Sequence, residues 1–215
     1  MGHDSGSRGL SWAVVGIGLT IELLIGLGGW TAGWMLLPEE AGRNVNLVSK
    51  ILESATPVYL SLGALLGAAV AVVLWLAIRI VKPLQRSRAL KILAILGETG
   101  WMQVILLCLV AGIAEEILFR GCLQVVTNIW VAAVLFGLLH AYGRLYVVVA
   151  ILAGAGLGYL YYFTGSLAAA AAAHAVYNLT VVVLVKLGLF PLPRAEEYHP
   201  GTGEELGYSS QLPPE

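Results

Sequence analysis

Charge is what this chain has least of. Lys, Arg, Asp and Glu together make up 12% of its 215 residues, and 59% are hydrophobic. An ordinary soluble domain is about 25% charged and about 45–50% apolar. So little charge excludes a solvated globular surface. With a formal net charge of −1 it also excludes the basic face that nucleic acid requires, so no nucleic-acid partner is expected. Cysteine is almost absent. Cys108 and Cys122 fall in neither a Cys-x-x-Cys nor a Cys/His spacing, and both read as small buried hydrophobes. A His-Glu-x-x-His zinc motif is missing as well. The polar segment 1–9 is followed by an apolar run, Leu10–Leu37. That run is much longer than the ~7–15-residue core of a secretory signal, so it reads as an uncleaved membrane helix.

What is present is apolar sequence in long blocks, at a mean hydropathy of +0.85. The expected fold is an all-α, polytopic membrane helix bundle with about six transmembrane helices and one or two interfacial helices. The first two spans are Leu10–Leu37 and Pro57–Val81, each beyond the ~20 residues needed to cross. The third starts near Trp101 and ends near Val126, where Thr127-Asn128 supplies a polar break. The fourth, Ile129–Ala141, is short enough to tilt or re-enter. The fifth is Leu145–Phe163 and the sixth Leu167–Phe190, stopped by Pro191 and Pro193. Asn46–Ala55 has the one-sided apolar pattern of an interfacial helix, and Ala89–Leu96 is a second candidate. Residues 10–190 thus form a single helical domain, with the chemistry expected at about 100–180, and 191–215 read as a flexible acidic tail.

Arg79, Lys82, Arg86, Arg88 and Lys91 cluster between two apolar runs and should be cytoplasmic. With an even number of spans both termini would be cytoplasmic too. Trp12, Trp30, Trp34 and Trp101 read as interfacial anchors, and Tyr142, Arg144 and Tyr146 likewise. Gly29-x-x-x-Gly33, Gly63-x-x-x-Gly67, Gly154-x-x-x-Gly158 and the alanine run 168–173 are small-residue surfaces that let helices approach closely. They are read as intramolecular packing, with dimerisation as the alternative. His3 and His199 lie in the terminal segments and receive no role.

Against this background the intramembrane polar residues stand out, because a charge at bilayer depth is costly and is kept for a purpose. Glu116 and Arg120 are four apart, so they share a helix face and form an internal ion pair. Glu115 is rotated by ~100° and is left free for chemistry. Phe136 and His140, and His174 and Asn178, repeat the spacing of four. Counting from the turns brings Glu115 and His140 to nearly equal depth, with His174 shallower on the same side, so the three can converge on one cavity. Such a set suits peptide hydrolysis, with Glu115 and His140 polarising a water and His174 and Asn178 donating to the carbonyl oxygen. Glu22, in the first span, reads as facing a wet crevice or pairing internally.

Glu-Glu-x-x-x-Arg (115–120), Phe-x-x-x-His (136–140) and His-x-x-x-Asn (174–178), in that order on separate apolar helices, resemble the three signature motifs of the CPBP family of intramembrane proteases. That family comprises CAAX prenyl endopeptidases of the Rce1 type and the Abi or bacteriocin-processing relatives. The resemblance implies a glutamate-type membrane endopeptidase. Its catalytic residues would be Glu115, His140, His174 and Asn178, with Glu116, Arg120 and Phe136 in support. The implied partners are membrane lipid and a membrane-anchored, lipidated or leader-bearing polypeptide. In a bacterium the location would be the plasma (inner) membrane. No cofactor is favoured; the alternative is zinc held by Glu115, His140 and His174. Two rival readings are a non-proteolytic membrane scaffold and a small proton-coupled transporter.

Overall fold

The computed structural model describes residues 10–37, 47–85, 88–190 and 192. The expected polar N-terminal segment, nearly all of the acidic tail, His3, His199 and Arg86 lie outside the described residues.

Every regular element among the described residues is helical. In order they are α1 (Trp12–Leu36), α2 (Leu47–Ser54), α3 (Pro57–Ile80), α4 (Lys82–Gln85), α5 (Arg88–Glu98) and α6 (Trp101–Glu116). A π-helical segment, Ile117–Leu123, follows, and then α7 (Gln124–Val126), α8 (Ile129–Leu139), α9 (Arg144–Thr164) and α10 (Leu167–Lys186). Among the described residues five helical runs are long and apolar enough to cross a membrane: α1, α3, Trp101–Val126, α9 and α10. The fourth expected span is α8, with only 11 residues. At ~1.5 Å per residue it rises about 16 Å, about half of a ~30 Å hydrocarbon core, and it packs back on α9 as a hairpin. The even count behind the placement of the termini is therefore not provided by helices of crossing length. Both segments expected to be interfacial are helical, as α2 and α5.

Local chemistry sets the boundaries. Ser11, Thr56, Asn128 and Ser166 each accept a backbone N–H from the first turn of the helix they precede, satisfying donors that have no intrahelical partner. Gly165, at φ 63°, closes α9 in the left-handed region that glycine occupies freely. The helix α10 ends four residues earlier than expected. Gly188 (φ 69°) turns the chain, the Leu189 N–H bonds back to the Leu184 carbonyl, and the Leu189 carbonyl accepts from Trp75 Nε1 at 2.9 Å. A glycine cap of this kind stops the helix before Pro191.

The bundle is inside out relative to a soluble protein. Ile17, Leu24, Leu27 and Trp34 of α1 are exposed, whereas three of its four buried residues are Gly26, Gly29 and Gly33. Packing in lipid draws on close approach of small residues rather than on burial of large ones. A Cβ added at Gly29 would lie 2.5 Å from Leu118 Cα, and one at Gly63 or Gly67 would collide with the carbonyl oxygen of Ala169 or Ala173. The glycine spacings and the alanine run thus fit together within one chain. Central α10 packs on α2, α3, α5, α6 and α9, while α1 packs on α6 and the π-helical segment.

Candidate active site

The site lies where α6 gives way to the π-helical segment. Glu116, fully buried, closes α6, and its Oε1 accepts from Arg120 Nη1 at 2.7 Å. The expected ion pair is therefore formed, although the backbone between its partners is not the continuous α-helix anticipated. The wider turn also lets Arg120 Nη2 donate to the Gly154 carbonyl of α9 at 2.6 Å. π-Helical turns inside α-helices gather at functional sites. The same Glu116 Oε1 accepts from His174 Nδ1 at 2.9 Å. Glu116 is thus a bridge between α6 and α10 as well as the partner of Arg120.

Glu115, one residue back, is 8% exposed. Its Oε2 lies 3.7 Å from His140 Nε2, too far for a direct hydrogen bond. His140 stands just past the end of α8. Its backbone N–H bonds to the Gly137 carbonyl, leaving the Phe136 carbonyl to accept from the His140 ring Nδ1 at 2.8 Å. A carbonyl can only accept, so Nδ1 carries the proton. In the neutral ring Nε2 then has the lone pair, and it faces Glu115. The ring is further held by Phe136, stacked at 4.3 Å between centroids. Phe136 also meets His174 edge-on at 5.7 Å and receives the Arg120 guanidinium over its face at 5.0 Å. The aromatic ring expected one turn from His140 is therefore a common wall for both imidazoles and the guanidinium.

Glu115, His140 and Asn178 open on a cavity of about 260 Å³. His174, one turn before Asn178 on α10, sits behind them, 4% exposed. Away from these polar groups the cavity is apolar, walled by residues such as Leu74, Ile78, Leu90, Leu93 and Val182 from α3, α5 and α10. The site residues expected from sequence are thus gathered in one place. Glu22, expected to face a crevice or pair internally, also belongs to the cavity wall, and so do Tyr142 and Tyr146, expected as interfacial anchors. Tyr142 and Tyr146 are cavity residues rather than interfacial anchors. Burial, and behind it the carboxylates of Glu115 and Glu22, raises the Tyr142 phenol above its ordinary range. The signal available for the tyrosines was their position immediately after His140. For Glu22 it was the lone charge in an otherwise uncharged span.

Structural and catalytic zinc sites converge three or four N, O or S donors at about 2 Å from one point. Among the described residues no group of three His, Cys, Asp or Glu side chains is so gathered.

Residues 97–180 match the family model of the Rce1-like type II CAAX prenyl endopeptidases, a stretch that contains all seven of the motif residues from Glu115 to Asn178. No curated protein matches the chain, and no solved structure does.

Proposed function

We propose that this multi-pass chain is a membrane protease that hydrolyses its substrate with a water held between Glu115 and His140; the match of residues 97–180 to the Rce1-like family model and the helices of crossing length support the class. The observation that carries this reading is the 3.7 Å gap between Glu115 Oε2 and His140 Nε2. With Nδ1 donating to Phe136, both facing atoms are acceptors. A water seated between them donates one hydrogen to each, so its oxygen lone pair is directed at the incoming carbonyl. His140 takes the proton as the water attacks.

The tetrahedral oxyanion needs donors fixed in advance. Asn178 supplies an amide N–H from the cavity wall. His174 serves through Nε2, which requires the doubly protonated ring because Nδ1 already donates to Glu116. The charges then balance: Glu115 and Glu116 contribute −2, Arg120 and His174⁺ contribute +2. A neutral cluster is what a low-dielectric site tolerates. The leaving amine recovers the proton from His140.

The substrate class we propose is a membrane-anchored, lipidated or leader-bearing polypeptide. The apolar walls of the cavity support it, since a scissile bond presented from a lipid phase arrives with apolar flanks. The basic cluster between α3 and α5 supports a cytoplasmic position for that side.

The test is a comparison of membrane-associated peptides in cells making the wild type, Glu115→Ala or His140→Ala, with insertion and folding of each variant checked. Cleavage products present only with the wild type are expected. Equal products from wild type and Glu115→Ala would overturn the mechanism.

A further inference from the structure

Glu22 is the one charged side chain in α1, and its span otherwise consists of uncharged residues. A carboxyl group at this depth needs a reason, and an ion pair does not supply one. Its Oε2 is buried and has no hydrogen-bond partner among the described residues.

The packing of α1 on α6 shows where the group is aimed. Gly18 abuts Leu107, Gly26 abuts Ala114 and Gly29 abuts Leu118, so the helices run parallel with a constant offset of 88–89 positions. Glu22, one turn before Gly26 on the same face, is level with Ala111. That is one turn, about 6 Å of rise, from Glu115. Ala111, Glu22 and Glu115 accordingly line the same cavity.

We propose that Glu22 is a positioning residue of the peptidase site, whose carboxyl is coupled through the shared cavity to that of Glu115 and so sets the pH range over which Glu115 is available as a carboxylate. This rests on the peptidase reading above. Two carboxyls facing one low-dielectric cavity resist ionising together and titrate as a coupled pair. The groups facing Glu22 are Glu115 from α6, His174 from α10, and His140 and Tyr142 after α8. Glu115 additionally faces Glu116 and Arg120. Arg120 is committed to Glu116 and to the Gly154 carbonyl, so it is not a dedicated partner of Glu22.

The experiment follows cleavage against pH for wild type, Glu22→Gln and Glu22→Asp in proteoliposomes. Glu22→Gln keeps the shape and removes the like charge. Its acid limb should move toward lower pH by about one unit, while Glu22→Asp keeps a limb near that of the wild type. A purely structural glutamate would leave the limb in place, and superimposable profiles for wild type and Glu22→Gln overturn the proposal.

An activity-independent arm titrates the protonated-carboxyl infrared band of ¹³C-glutamate-labelled protein, with Glu115→Gln assigning the Glu115 contribution. In Glu22→Gln that contribution should disappear at lower pH than in wild type; coincident titrations refute the coupling. Absence of any Glu115-dependent cleavage would sink the peptidase reading alone, leaving the infrared comparison to decide on the pair.

Discussion

Removing the Glu116 side chain should damage this protein more than removing any other single carboxylate. Glu116→Ala deletes the acceptor of two buried donors at once, Arg120 Nη1 at 2.7 Å and His174 Nδ1 at 2.9 Å. Breaking a buried pair from one side costs ~3–5 kcal/mol, because the other charge is left in low dielectric. Arg120 keeps the Gly154 carbonyl at 2.6 Å and the faces of Phe119 and Phe136, which places the loss at the low end, about 3 kcal/mol. That is over a hundredfold in the folded-to-unfolded ratio. Glu116→Gln retains an acceptor oxygen without the charge and should lose about 1–2 kcal/mol, the difference between charge-assisted and neutral hydrogen bonds. Cleavage should fall in both, since His174 loses its anchor. The assay is reversible unfolding in mixed detergent micelles, read by tryptophan fluorescence and checked by steric trapping in bilayers. Wild-type stability within about 0.5 kcal/mol for Glu116→Ala would refute the bridging role, because surface-type substitutions stay within that margin.

Two further outcomes are expected. Gly67→Ala drives a methyl group into the Ala173 carbonyl, so α3 must shift from α10; destabilisation of about 1–3 kcal/mol and reduced cleavage should appear together, whereas Gly16→Ala, where nothing lies within 4 Å, should be silent in the same unfolding assay. Cleavage should survive strong chelation in protein shown by elemental analysis to carry no stoichiometric zinc, and activity restored only by added Zn(II) would reverse the metal-free reading.

The membrane spans and interfacial helices were legible because hydropathy and one-sided periodicity report them directly. The Glu116–Arg120 pair was legible for a similar reason: residues four apart share a face whether or not anything else is known. The link from His174 to Glu116 was not, since it joins residues 58 apart and depends on how α10 crosses α6. Nor was the π-helical segment, because Ile-Leu-Phe-Arg-Gly-Cys-Leu is equally apolar in either hydrogen-bond ladder. The proton position on His140 could be read only once α8 was seen to end at Leu139, which frees the Phe136 carbonyl. Glu22 was visible as an oddity, but the glycine contacts that place it level with Ala111 are a property of the packed pair of helices.

Gly63 and Gly67 lie upstream of the family-matched stretch, yet they clasp the helix that carries His174 and Asn178. The helix α3 therefore works as a jig for α10. Excised from residue 97 onward, α10 would turn its alanine run to the acyl chains and lose the wall that holds it in line. Sequence drift in α3 has wide latitude on its outward side and almost none at two points, where the clearance between neighbours is narrower than a single methyl group.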